Sequence, residues 1–169
     1  MSNLAIFVLS FVLGLVGFGL IALWYVVPWL RKYSFEQSFT PLLLFNCFRY
    51  LGLAFLLPGL TGPNFPADFA REIAYGDMLA VVLAFLALAS VRLRWRIAVW
   101  LALLFNIEGT LDLLNGPIQG LRLGFDPAQF GATYFIPTLY VPALLVTHVV
   151  IFWLLWRFRR WPYGEVMSR

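Results

Sequence analysis

The chain has 169 residues, of which 62% are hydrophobic and only 12% charged, with a formal net charge of +4. A charged share about half that of a soluble domain cannot shield so much apolar surface from water, so the proportions exclude an ordinary soluble fold and point to lipid as the main solvent. The positive charges stand in short clusters beside apolar runs with no continuous basic face, which excludes nucleic acid as a partner.

The length predicts one domain over residues 1–169, an all-α integral membrane bundle of five transmembrane helices. The first apolar run covers 4–27. No Lys or Arg precedes it, it exceeds the ~7–15 residues of a signal-peptide core, and no small-x-small site follows it, so it reads as a retained span. Ser10, Gly14 and Gly17 form a small-residue stripe on it, suited to close helix packing. Arg31 and Lys32 follow.

The second span is expected over 41–60 and carries Asn46, Cys47 and Arg49. Cys47 is the one cysteine, so no internal disulfide can form, and it reads as a small apolar residue of the span. Pro58, Gly59, Gly62, Pro63 and Pro66 then break the chain. Residues 66–74 are expected as a short surface helix with Phe69 and Ile73 at the membrane interface.

The third span, 76–91, is the shortest and reaches Leu93 if Arg92 snorkels. Ala80, Ala84 and Ala87 line one stripe of it. Arg92, Arg94 and Arg96 lead into the fourth span, 97–116, which carries Asn106, Glu108 and Asp112. After it, Asp126 and Pro127 read as an N-cap and first helical residue. The surface helix they start is expected to bend at Pro137 into the fifth span, 133–156, which carries His148 and Pro142. Both prolines kink that span and free carbonyls that need a new partner.

Arg31, Lys32, Arg92, Arg94, Arg96, Arg157, Arg159 and Arg160 all fall on one side of this five-span plan. The opposite loops hold only Arg71 and Arg122, against Asp68, Glu72, Asp77 and Asp126. The positive-inside rule then places the N-terminus outside and the C-terminus in the cytoplasm. Trp24, Trp29, Trp95, Trp100, Trp153, Trp156 and Trp161 all fall near the cytoplasmic ends, as an interfacial belt.

Depths at 1.5 Å per residue put Arg49 and His148 ~12 Å from that side, Asn106 and Glu108 ~13–17 Å, and Asp112 ~22 Å. Asn46, Arg49, Asn106, Glu108, Asp112 and His148 therefore form the candidate buried polar cluster. Arg49 at mid-span is unfavourable by at least ~2.5–3.5 kcal/mol without a partner, and Glu108, at matching depth, is the expected one. Asp112 shares a helix face with Glu108 and Asn115 but lies one turn nearer the outside, with protonation, a wet vestibule, or Tyr134 or Thr138 as its expected outlets. One histidine cannot supply paired haem ligands, and no metal-ligand spacing occurs, so neither cofactor nor metal is expected.

Asn106-x-x-Gly109-x-x-Asp112-Leu-Leu, with Phe135-Ile-Pro-Thr, Val141-Pro and Thr147-His148, resembles a group of small bacterial multispanning membrane proteins of unknown function. The resemblance covers the fourth and fifth spans. It implies a multi-pass protein of the bacterial inner membrane and brings no activity with it. Three functions fit the residues. The first is a non-enzymatic bundle or complex subunit, in which the ion pair is structural. The second is a carrier of protons or a small solute using Asp112 and Glu108. The third is an intramembrane enzyme on a lipid-like substrate, with the two carboxylates as acid and base. The expected partners are the bilayer, a membrane protein or second copy, and a small apolar ligand.

Overall fold

The computed structural model describes residues 1–158, with no strand among them. Five helices are long and apolar enough to cross a membrane: α1 (Asn3–Leu30), α2 (Phe35–Leu56), α3 (Ala67–Arg92), α4 (Ala98–Leu123) and α5 (Ile136–Arg157). α3 packs between α2 and α4, and α5 packs on α4, α2 and α1. Arg159, Arg160 and Trp161 lie outside the described residues.

Several boundaries differ from the hydropathy reading, each for a local reason. α2 starts at Phe35 rather than 41, because Ser34 and Gln37 form a capping box that satisfies the first amides. α3 starts at Ala67 and runs unbroken to Arg92, so the expected surface helix over 66–74 is its first two turns. Phe69 is 4% exposed and Ala74 fully covered, so one face of this segment packs into the core. α4 continues past 116 to Leu123 and stops at Gly124, whose φ of 61° fits a left-handed C-terminal cap.

Asp126 caps a 3-10 turn over Pro127–Tyr134, accepting from the Ala128 amide at 3.0 Å. The sharp change of direction falls at Gly131, with φ 55° and ψ −130°, rather than at Pro137. Asn3 Nδ2 also donates to Asp126, at 2.9 and 3.0 Å, tying the start of α1 to this turn. Those bonds hold the Asp126 carboxyl below its ordinary range, the Ala128 amide contributing most. A lowered value means support that is complete above the ordinary aspartate pKa of about 4 and lost as pH falls through the lower folded value. The expected outcome is that the protection of the Ala128 amide against hydrogen exchange, relative to its intrinsic rate at each pH, falls only below about pH 4, and that Asp126→Asn removes this pH step.

Two helices widen by one residue where a proline follows. Val27 donates to Ala22 O just before Pro28, and Val141 donates to Ile136 O just before Pro142. Such π turns take up the residue that the proline ring displaces. Pro142 has no N–H for the Thr138 carbonyl, four residues back. Gly14 of α1 packs there: a Cβ on it would lie 2.9 Å from Thr138 O and 3.1 Å from a Pro142 ring carbon. Gly14→Val is therefore expected to push α1 off α5 and lower stability by about 1–3 kcal/mol, read as the unfolding midpoint in mild detergent.

An apolar layer fills one end of the bundle, with Leu30, Phe39, Leu43, Phe105, Ile151 and Leu154 fully covered. Arg31, Arg92, Arg94 and Arg157 stand around this basic end. Arg92 and Arg94 pair with Glu36 at 2.8 and 3.2 Å, and Arg157 donates to the carbonyls of Leu30 and Arg31. Trp24, Trp29, Trp95, Trp100 and Trp156 are exposed around the same end, and Trp153 is half-buried. At the far end Phe55, Phe65, Phe125 and Phe130 stack into an aromatic cluster. The polar residues lie between these two apolar layers.

Candidate functional site

The polar residues form two levels, set by where each helix starts. Counted from the basic end, Asn106 and His148 lie about 12–14 Å along their helices, and Glu108 and Asn46 about 15–17 Å. Arg49, Asp77 and Asp112 all lie about 21–23 Å along theirs, α2 rising faster once it tightens into a 3-10 helix.

That tightening covers Cys47–Leu56, a long run for this geometry. A 3-10 helix has three residues per turn, so Arg49, Gly52 and Phe55 stack in one line, and all three are buried. An α-helix would rotate that line away by about 60° per step.

Arg49 is the largest fully buried side chain, at 0% exposure. Its guanidinium does not take the expected partner, Glu108. Nε and Nη2 lie 2.8 Å from Asp77 Oδ1, Nη2 also pairs with Asp112 Oδ2, and Nη1 donates to the Gly109 carbonyl at 3.3 Å. One cation thus bridges two carboxylates from two helices. Asp77, expected in an outer loop, is 8% exposed and eleven residues into α3. Asp112 does not lack a counter-ion, and Tyr134 and Thr138 bond elsewhere, to Ser10 and to the Tyr134 carbonyl.

Three glycines make the bridge sterically feasible. A Cβ on Gly52 would collide with the Asp77 carboxylate, one on Gly76 with the Asp112 carboxylate, and one on Gly109 with Arg49 Nη1, at 2.8 Å. The arrangement is cyclic. α2 offers Gly52 to the charge of α3, α3 offers Gly76 to the charge of α4, and α4 offers Gly109 to the charge of α2. Each helix supplies one charged side chain and one vacancy.

On the level nearer the basic end, Asn106 clasps His148. Asn106 Nδ2 donates to the His148 carbonyl at 3.2 Å, and His148 Nδ1 lies 2.7 Å from Asn106 Oδ1. With the amide fixed this way, Nδ1 of the neutral ring is the donor and Nε2 presents a lone pair. Asn46 Nδ2 donates to Leu42 O and Thr147 Oγ1. Asn46 Oδ1, Glu108 Oε2 and His148 Nε2 are buried without a hydrogen-bond partner among the described residues. The six residues read from sequence therefore fall into two groups: Arg49 and Asp112 in the ion bridge, Asn46, Asn106, Glu108 and His148 beneath it.

Beside the bridge, between α1, α3, α4, the start of α5 and the turn before it, lies a cavity of about 250 Å³. Its walls include Phe7, Phe11, Phe69, Leu113, Phe130 and Ile136, and its polar end is formed by Glu72, Asp77, Asp112 and Asn115. Glu108 does not reach it. An apolar cavity of about 150 Å³ is enough to hold benzene, so this one has room for a larger apolar group. Among the described residues no group of three or more His, Cys, Asp and Glu is placed to hold a metal ion.

Fold and site together define an all-helical bundle of five helices able to span a membrane, with an arginine–dicarboxylate bridge at the end of an apolar cavity. The chain belongs to a family known as a domain of unknown function, DUF8737, whose model matches residues 6–156. No curated protein and no solved structure matches it. The matched stretch contains the whole bridge and every wall of the cavity except Leu4.

Proposed function

We propose that the chain is a multi-pass plasma-membrane protein, without enzymatic activity, that holds an apolar, lipid-like molecule in this cavity while the Arg49 bridge keeps α2, α3 and α4 in register. The observation that carries the reading is the cavity itself, with aromatic walls and one polar end. The resemblance to small bacterial multispanning proteins and the clustering of Arg and Trp at one end support insertion in the inner membrane with that end in the cytoplasm. The enzyme reading needs Glu108 and Asp112 together at a substrate. Only Asp112 lines the cavity, and one of its oxygens already binds Arg49.

Photolabelling tests this. The protein extracted in native lipid discs is exposed to a long-chain fatty alcohol bearing a diazirine. Labels are expected on Phe7, Phe69, Leu113 and Phe130. Gly116 lines the cavity and a Cβ on it would meet nothing within 4 Å. Gly116→Phe should therefore fill the space without distorting α4 and abolish those labels. Labelling confined to the outer surface of the bundle, unchanged by Gly116→Phe, would overturn the proposal.

A further inference from the structure

The cavity wall has a one-sided hydrogen-bonding character. Among the described residues its only polar side chains are Glu72, Asp77, Asp112 and Asn115, with no Lys, Arg, Ser, Thr, Tyr or Trp. The one side-chain donor among these, Asn115 Nδ2, is already directed at Glu72 Oε1, which also accepts from Gln119. Arg49 is wholly covered behind the carboxylates, with its donors aimed at Asp77, Asp112 and the Gly109 carbonyl. With these carboxylates ionised, what their side chains present to the space is acceptor oxygen alone. Three carboxylates stand against one guanidinium, a formal excess of two negative charges at the end of an apolar chamber.

Oxygen without donors, and negative charge without its full complement of cations, select a ligand that donates hydrogen bonds and carries positive charge. We infer that the occupant is an amphiphile with a protonated amine head, the head at Glu72, Asp77 and Asp112 and the apolar body among Phe7, Phe69 and Phe130. An alkylamine is protonated at neutral pH, its pKa lying near that of lysine. A carboxylate head, or a phosphate head that carries no amine, would meet like charge. An alcohol would satisfy one oxygen and leave the charge excess as it was. This inference rests on the proposal that the cavity binds an apolar molecule.

Competition against the diazirine alcohol separates the two. Wild-type protein in phosphatidylcholine discs is titrated with dodecylamine, dodecanol and dodecanoate. Dodecylamine is expected to displace the label at a concentration at least tenfold lower than dodecanol, with dodecanoate weakest. Glu72→Gln, on an exposed side chain, should shrink the amine-to-alcohol ratio at least threefold. Equal potency of the three compounds, or dodecanoate as the strongest, would overturn the amine head and leave the cavity reading standing. Cavity labels absent from the start would overturn both. A further arm, with phosphatidylethanolamine in the discs, names the source once amine preference is established. Competition with dodecylamine assigns the head to a membrane lipid, and its absence to a free amphiphile; either result keeps the amine.

Discussion

Arg49→Met is expected to lower stability by about 3–5 kcal/mol, enough to remove most folded protein from a detergent extract. The side chain is wholly buried and bridges Asp77 and Asp112. Deleting it leaves the buried Asp77 and the half-buried Asp112 carboxylates facing each other with no cation, and desolvated charge without a partner is among the largest single penalties a fold can meet. The same physics predicts rescue. Arg49→Met combined with Asp77→Ala and Asp112→Ala removes all three charges, and should recover at least half of the loss. Glu108→Gln should have a far smaller effect, because Glu108 has no share in the bridge. Fluorescence-detected size exclusion after a heating series measures all of these variants. Equal damage from Glu108→Gln and Arg49→Met would mean that the cation sits with Glu108 instead.

Gly52→Ala and Gly109→Ala are the second pair of large effects. In an ordinary helix, Gly→Ala stabilises by up to about 1 kcal/mol. Here the added methyl of Gly52→Ala would lie 2.8 Å from Asp77 Cγ and 2.9 Å from its Cβ. In Gly109→Ala it would lie 2.6 Å from His148 Cε1 and 2.8 Å from Arg49 Nη1. The Asp77, His148 and Arg49 side chains must shift from their places in the bridge and the clasp to admit it, so each variant should lose about 1–3 kcal/mol. Gly17→Ala is the control: its methyl would meet nothing within 4 Å. It should be neutral or mildly stabilising in the same unfolding assay, and a loss there equal to that of Gly52→Ala would show that the effect is not packing.

The hydropathy of the chain disclosed the five helices because apolar runs of this length have few other uses. Arg49, Asn106 and His148 stood out for the same reason, as polar side chains where apolar ones belong. The pairing within the cluster was not legible, and the cause is specific. Starting α2 at Pro41 put Arg49 ~12 Å from the basic end, level with Glu108. The capping box at Ser34 moves that start back six residues, and the 3-10 rise adds more, so Arg49 meets Asp112 about 22 Å along. The signal was present as Ser34-x-x-Gln37, but proline at 41 masked it as a helix start. Asp77 is hidden for the opposite reason. A short surface helix over 66–74 and a span starting at 76 leave Asp77 among the outer charges at the end of that span, whereas one unbroken helix from Ala67 places it eleven residues in, on a buried face. The role of Gly52, Gly76 and Gly109 depends on which helices touch, and spacing along one chain does not contain that. The small-residue stripe of α3 shows the limit from the other side: Ala80, Ala84 and Ala87 were legible as a packing face, and all three are fully covered.

Bridge and cavity are linked through Asp77 and Asp112, which belong to both. An occupant of the cavity therefore touches the same two side chains that fix α2 against α3 and α4. The measurement that tests this most directly is a cryo-EM map of the protein in lipid discs, with a bound antibody fragment to give it size. The map should show Arg49 between Asp77 and Asp112, and elongated non-protein density among Phe7, Phe69 and Phe130 ending at that bridge. Arg49 turned to Glu108, or side chains of α1 and α4 collapsed into the cavity so that no density fits there, would contradict it.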